Sequence, residues 1–342
     1  MIKKNLRILF FGLGGVGQRH LRNILYLCET PKLAAIKFSS NTFEITNDLE
    51  IDKSVNIISK YNITIFNNLN DAIEIFKPSI AIIATPSNSH STLALSVLQK
   101  KINVFLEKPI TVDLNELELI TNYLRHNNSN LSINYMMRYD PCFIKLRNGL
   151  NIKKIGKIIS AQFTHNSYFP LWHRYEKYQN LYAGKSSLGG GTILTNIHMI
   201  DLIYCLFDLP KRVFSIGGKI SNLEIDVEDT IACVLDYKFP VTLNLSFTQK
   251  PNINEIIING EEGKYILSFD NCQLELIDSN GKHEVFRSEN ARNDLFISCM
   301  ENFLKNLDGP STSNTHFSNV HKGHLLALKI KESLVNGSVV NL

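Results

Sequence analysis

The chain has 342 residues, 36 Lys plus Arg against 32 Asp plus Glu, a formal net charge of +4, and 44% hydrophobic and 20% charged residues. That length exceeds one ordinary core, so two domains are expected, and the composition is globular rather than disordered. The positive charge is spread along the chain with no basic run interleaved with aromatics, which argues against a nucleic-acid partner, and no segment approaches the roughly 18 apolar residues of a membrane span.

The start, "MIKKNLRILFFGLGGVG", mimics a signal peptide, but Arg7 interrupts it and no small-residue cleavage site follows. A first buried strand, "RILFFG", is the better reading. Helical spacing follows at Leu21, Ile24, Leu25 and Cys28. "KLAAIKFSS" and "ITIFNN" read as strands, "LNDAIEIF" as a helix, "SIAIIATP" as a strand ended by Pro86, and "HSTLALSVLQKK" as a helix. "INVFLEKP" is a strand, "DLNELELITNYLRHN" a helix with Asp113 as N-cap, and "LSINYMM" a further strand. This alternation predicts an α/β chain opening on a doubly wound parallel Rossmann sheet.

After Arg138 the texture changes. Strands such as "KIISAQFTHNSYF", "TIACVLDYK", "VTLNLSFTQ" and "GKYILSFD" follow one another across short polar turns, predicting an open, mostly antiparallel sheet in a second α/β domain. One long helix, "GTILTNIHMIDLIYCLF", interrupts them, and two helices close the chain. The boundary is placed at residues 135/136, giving domains 1–135 and 136–342. The six cysteines form no C-x-x-C pair and have no His at ligand spacing, so reduced thiols, no metal and a cytoplasmic location are expected.

Gly12, Gly14 and Gly17 form G-x-G-x-x-G between a strand and a helix, with Gly15 and Val16 inside it. Such a turn brings a dinucleotide pyrophosphate to the backbone and to the N–H groups of a helix start. The end of the second strand carries Ser39 and Ser40 where NAD-binding sites usually have an acid. Neutral hydroxyls tolerate a 2′-phosphate, and Lys37 or Arg19 is a candidate to reach one, so NAD and NADP both stay open. "ATPSNSH" supplies Thr85, Pro86 and Asn88 beside the cofactor; His90 is either a cofactor neighbour or a helix-start histidine. In "FLEKP", Glu107 and Lys108 stand at a strand's carboxyl end, where the Lys108 ammonium can polarise a substrate oxygen.

Taken together, the glycine motif, "ATPSNSH", "EKP" and "NYMMRYDP" resemble the Gfo/Idh/MocA family of NAD(P)-dependent oxidoreductases, many of which act on sugars, inositols and nucleotide-sugars. The resemblance implies a second domain for substrate binding and oligomerisation, a cis bond before Pro109, and a homodimer or homotetramer formed through the second sheet. The closing helices pack either there or back on the first domain. The family's glycine run followed by an Asp and a His matches "LGGGTILTNIHMID", where His198 takes the histidine position as general acid/base. Asp201 matches the acid three residues on, but Thr195 stands where the upstream Asp is expected. Thr195, three residues before His198, shares its helix face on this reading.

Arg138 is read either as an anion-binding group or as a salt-bridging residue. "YFPLWHRYEKYQNLY", with Trp172, His173, Arg174 and Lys177, is read as sugar-stacking substrate contacts or an interface loop. The expected activity is hydride transfer between nicotinamide C4 and a sugar hydroxyl or keto carbon, on a nucleotide-sugar or sialic-acid-like substrate. The alternatives are an inositol or simple aldose dehydrogenase and a non-catalytic NAD(P)-binding sensor.

Overall fold

The computed structural model describes residues 5–36, 42–127, 129–173, 175–307 and 313–342. Lys37, Ser39, Ser40 and Arg174 lie outside them. The chain divides into two units: Met1–Asn134 with His173–Lys177 and Phe296–His321, and Tyr135–Trp172 with Tyr178–Leu295 and Lys322–Leu342.

In the first unit the strands are β1 (Arg7–Phe11), β2 (Lys32–Ile36), β3 (Phe43–Ile45), β4 (Ile51–Asn56), β5 (Thr64–Phe66), β6 (Ile80–Ile83), β7 (Asn103–Leu106) and β8 (Leu131–Ile133). Six of them form a parallel sheet in the order β5-β2-β1-β6-β7-β8, while β3 and β4 make a separate antiparallel hairpin. Setting the hairpin aside, this is the Rossmann order 3-2-1-4-5-6. The central strands are apolar throughout because helices cover both faces of such a sheet; Ile8, Leu9, Phe10 and the whole of β6 are fully buried. Asp113 caps the helix Leu114–His126, accepting from the Asn115 and Glu116 N–H groups at 2.8 and 3.1 Å.

In the second unit the strands are β9 (Ile158–Tyr168), β10 (Arg212–Gly218), β11 (Thr230–Asp236), β12 (Pro240–Ser246), β13 (Thr248–Gly260), β14 (Gly263–Ser268), β15 (Gln273–Asp278), β16 (His283–Arg287) and β17 (Val340–Asn341). They form one sheet, β16-β15-β14-β13-β9-β12-β11-β10-β17, antiparallel except where β9 meets β12. Burial alternates as a one-sided sheet requires. Along β11, Ile231, Cys233 and Leu235 point inward while Ala232 and Val234 are exposed.

The single long helix expected around His198 is two helices, Thr192–Thr195 and Ile197–Phe207, in a region bent by 47°. Asn196 makes the break: its backbone sits at φ −93°, ψ 23°, outside helical geometry, and its side-chain amide donates to Thr192 Oγ1 at 3.0 Å. Thr195 and His198 therefore do not share one continuous helix face. Among the described residues no single helix is long and apolar enough to cross a membrane; this bent pair reaches the length only together, and its residues belong largely to the core. All six cysteines are free thiols, and burial pushes Cys28, Cys142 and Cys233 up to about 11, where they are unreactive at neutral pH.

Candidate active site

Open parallel sheets bind ligands at strand carboxyl ends, where the strand order reverses. Here that point lies between β1 and β6, and the loops after them touch: the Ala84 N–H donates to the Phe11 carbonyl at 2.9 Å. Gly12 adopts φ +89°, and a Cβ there would come within 2.6 Å of the Ala84 carbonyl oxygen. A Cβ on Gly17 would come within 2.3 Å of the Gly12 carbonyl oxygen. These two glycines hold the turn against its neighbours. Gly14 differs, because its Cβ direction meets no atom within 4 Å.

Gly14 is also the N-cap of the helix Gly15–Leu27, which has no side-chain cap and no acid in its first turn. The N–H groups of Gly15, Val16 and Gly17 thus face outward with the positive end of the helix behind them. Open space in front of uncapped N–H groups fits the pyrophosphate of a dinucleotide. Gln18 braces the turn: its side-chain amide donates to the Leu13 and Phe43 carbonyls, both at 3.1 Å, and its Oε1 accepts from the Ile45 N–H at 2.7 Å.

Beyond β6, the half-buried Thr85 accepts a hydrogen bond from Ser89 Oγ at 2.7 Å, while Pro86 and Asn88 are exposed. His90 faces inward. Its ring is 1% exposed, with Nδ1 2.6 Å from the Pro109 carbonyl and Nε2 2.9 Å from the Thr85 carbonyl. It lies between the β6 and β7 loops, where burial pushes its pKa down; the neutral ring has one N–H and donates to one of the two carbonyls.

Past β7 come Glu107 and Lys108, and the Lys108–Pro109 bond is cis. Glu107 is buried. Its Oε1 accepts from His20 Nε2 at 2.6 Å and from the Asn134 amide at 2.7 Å, and its Oε2 accepts from the Lys108 backbone N–H at 3.2 Å. Burial alone would raise the Glu107 pKa; the His20 bond and charge, with Lys108 and Asn134, outweigh it and keep the carboxylate ionised. Glu107 thus anchors the strand end that carries the half-buried Lys108. The sequence reading missed His20 and Asn134. A polar pair in otherwise apolar helix and strand patterns was the available signal.

The second unit carries the remaining candidates. Arg138 is 5% and Asp201 1% exposed; Arg138 Nε and Nη2 meet Asp201 Oδ2 and Oδ1, each at 2.7 Å. Burial alone would lower the guanidinium pKa, but the carboxylate more than offsets it. The pair is bidentate and neutral as a unit, so the Arg138 charge is taken up by Asp201 rather than offered to an anion. His198 is half-buried in a helix whose neighbouring residues are buried, and the fully buried Tyr135 ring stands edge-on to it, with centroids 6.0 Å apart. Thr195 is buried.

In the glycine run, Gly191 adopts φ +109°, and a Cβ there would fall 2.2 Å from Glu228 Oε1, which accepts from the Ile193 N–H at 3.2 Å. Trp172 is half-buried. Its indole N–H donates to Ser167 Oγ at 3.0 Å, and it stands edge-on to Phe169 and Phe247, each 5.2 Å away.

Comparison with known proteins gives this geometry its family. The family described as "Oxidoreductase family, NAD-binding Rossmann fold" (GFO_IDH_MocA) matches residues 6–135, and "GFO/IDH/MocA C-terminal domain" matches residues 143–266. "Oxidoreductase P35" of Formosa agariphila is 26% identical over 217 residues, 61% of this chain and 64% of that protein. The "scyllo-inositol 2-dehydrogenase (NAD(+))" of Bacillus subtilis is 22% identical over 163 residues, 46% of this chain and 44% of that one. The match thus spans less than two thirds of the length of either relative. The WlbA dehydrogenase of Bordetella pertussis, solved with NADH and UDP-GlcNAcA, shares the fold at a TM-score of 0.78 and 17% identity over 99% of both chains. With the models of both of its domains matched, over residues 6–135 and 143–266, the chain belongs to the Gfo/Idh/MocA family of NAD-binding oxidoreductases.

Proposed function

We propose that the protein is an NAD(P)-dependent dehydrogenase or reductase acting on a CH–OH or keto carbon of a sugar. The observation that carries this reading is the meeting of the β1, β6 and β7 loops, which sets Lys108 on the same sheet edge as the uncapped glycine turn. Gly12, Gly14, Gly15, Val16 and Gly17 hold the pyrophosphate, with Thr85, Pro86 and Asn88 beside it. The dinucleotide supplies a hydride acceptor or donor at nicotinamide C4. Lys108 donates a hydrogen bond to the substrate oxygen and stabilises charge developing there. His198 takes the hydroxyl proton during oxidation and returns it during reduction.

The preferred substrate is a nucleotide-activated or sialic-acid-like sugar, in keeping with the UDP-sugar bound by the Bordetella relative. The relationship to an inositol dehydrogenase favours a second reading, a cyclic polyol or simple aldose. Turnover on a panel of nucleotide-sugars against inositols and aldoses, with NAD and NADP each titrated, separates the two. Absence of turnover on every substrate despite tight cofactor binding would point to a sensor instead. Lys108→Ala is expected to lower kcat by roughly a hundred- to a thousandfold, the loss of one oxyanion donor, with NADH affinity within about twofold of wild type. Normal turnover in that variant would sink the role given to Lys108.

The outward face of the nine-stranded sheet is the proposed interface of a homodimer or homotetramer. Phe214, Ile216 and Val234 stand exposed on neighbouring strands there, and such an apolar face is favourably covered by a second copy.

A further inference from the structure

Gly15 lies at a position that the G-x-G-x-x-G pattern leaves free, yet it is glycine. The reason is a side chain from far along the chain. A Cβ on Gly15 would come within 3.0 Å of the Tyr175 hydroxyl oxygen. Tyr175 belongs to His173–Lys177, a five-residue excursion grouped with the first unit although Trp172 and Tyr178 on either side belong to the second. Both flanks are fixed: Trp172 and Tyr178 stand edge-on to Phe169 at 5.2 and 5.9 Å. His173 stacks on the Tyr175 ring at 14° between planes, and its Nδ1 is 3.4 Å from the Tyr175 hydroxyl, a long contact that leaves the O–H donor weakly engaged.

We propose that this strap reaches the cofactor site through Tyr175, whose hydroxyl donates a hydrogen bond to the pyrophosphate of the bound dinucleotide beside the first-turn N–H groups of the helix Gly15–Leu27. This rests on the reading that the glycine turn holds a dinucleotide. A phenol suits the task because it adds a donor without adding charge, and burial, helped by Glu176, raises its pKa so that it stays an O–H donor at neutral pH. The strap also accounts for the paired glycines: position 14 is left open for the phosphates, and position 15 is left bare for Tyr175. The aromatic stretch read from sequence as a substrate or interface loop then serves the cofactor at its centre, through Tyr175, and the second unit's core at its flanks, through Trp172 and Tyr178.

The test measures NADH binding by fluorescence and ADP-ribose binding by calorimetry. ADP-ribose keeps the pyrophosphate and lacks the nicotinamide. Tyr175→Phe removes only the hydroxyl and is expected to raise both Kd values by roughly tenfold, as loss of a hydrogen bond to a charged group does. If both Kd values stay within about twofold of wild type, a range below one such bond, the proposal is overturned. Gly15→Ala supplies a second, independent arm. It should weaken NADH binding in the wild-type background but not in Tyr175→Ala, where the nearest remaining atom is Ile45 Cγ2 at 3.8 Å. Equal losses in both backgrounds would also overturn the proposal. Wild-type protein that binds neither NADH nor NADPH would overturn the cofactor reading itself, and the strap with it.

Discussion

Arg138 and Asp201 show how burial changes what a residue can do. In sequence, an arginine past the last parallel strand is equally an anion binder or a salt-bridge partner. With both groups buried and joined by two 2.7 Å hydrogen bonds, removing the carboxylate takes from a buried guanidinium the charge that balances it. Asp201→Asn is therefore expected to cost about 3–5 kcal/mol of stability, read as a lower midpoint in chemical denaturation. A loss below about 1 kcal/mol would show the pair to be loosely held. His90 carries the opposite lesson: a histidine beside a nucleotide-binding loop turns inward and joins two loops. Its pKa is lowered in the folded chain, so between that value and the ordinary histidine value the unfolded chain binds more protons. Its contribution therefore makes stability fall as pH drops below about 6.5, by at most about 1.4 kcal/mol per pH unit. Thermal unfolding of wild type and His90→Gln from pH 7.5 to 5.5 checks this, the expectation being a shallower decline in the variant.

At the scale of elements, the glycine turn separates fold from function. Gly17→Ala forces a Cβ to within 2.3 Å of the Gly12 carbonyl and is expected to cost about 1–3 kcal/mol, the range for overpacking. Gly14→Ala meets nothing within 4 Å. It should leave stability within about 0.5 kcal/mol of wild type while raising the NADH Kd by at least roughly tenfold, since the methyl enters the space reserved for phosphate. Parallel melting and titration experiments on the two variants test the assignment; a destabilised Gly14→Ala with intact binding would reverse it. The helix around His198 shows an element that sequence pattern misjudged. "GTILTNIHMIDLIYCLF" has unbroken apolar spacing, yet Asn196 leaves helical geometry after its amide bonds back to Thr192. Periodicity registers which face is buried, and both short helices keep theirs buried, so the pattern survives the break.

At the scale of the whole molecule, the two units combine a doubly wound nucleotide-binding sheet with a broad sheet buried on one face only. Val234 is 50% exposed on β11, third from the β17 edge of that sheet. If the outward face joins copies of the chain, Val234→Lys should shift sedimentation from a dimer or tetramer towards monomer with little effect on the cofactor turn. An unchanged oligomer, or a wild-type monomer, would place the interface elsewhere or remove it.

Much of this was legible from the residues alone. Short continuous apolar runs between turn signals read as central parallel strands, alternating ones as a one-sided sheet, and glycines at a strand-to-helix turn as a place where backbone meets phosphate. Those are local regularities, so the doubly wound parallel sheet, the one-sided antiparallel sheet and the strand-to-helix glycine turn could be read in advance, while the hairpin of β3 and β4 was not. What local pattern does not carry is the partner of each polar side chain. The bonds of Glu107 with His20 and Asn134, of Arg138 with Asp201, of Trp172 with Ser167, and the seat of Tyr175 against Gly15 join residues as few as five and as many as 160 apart. The tertiary structure decided them, because a buried polar group must find its hydrogen-bond partner in space, and sequence spacing does not say which one will be there.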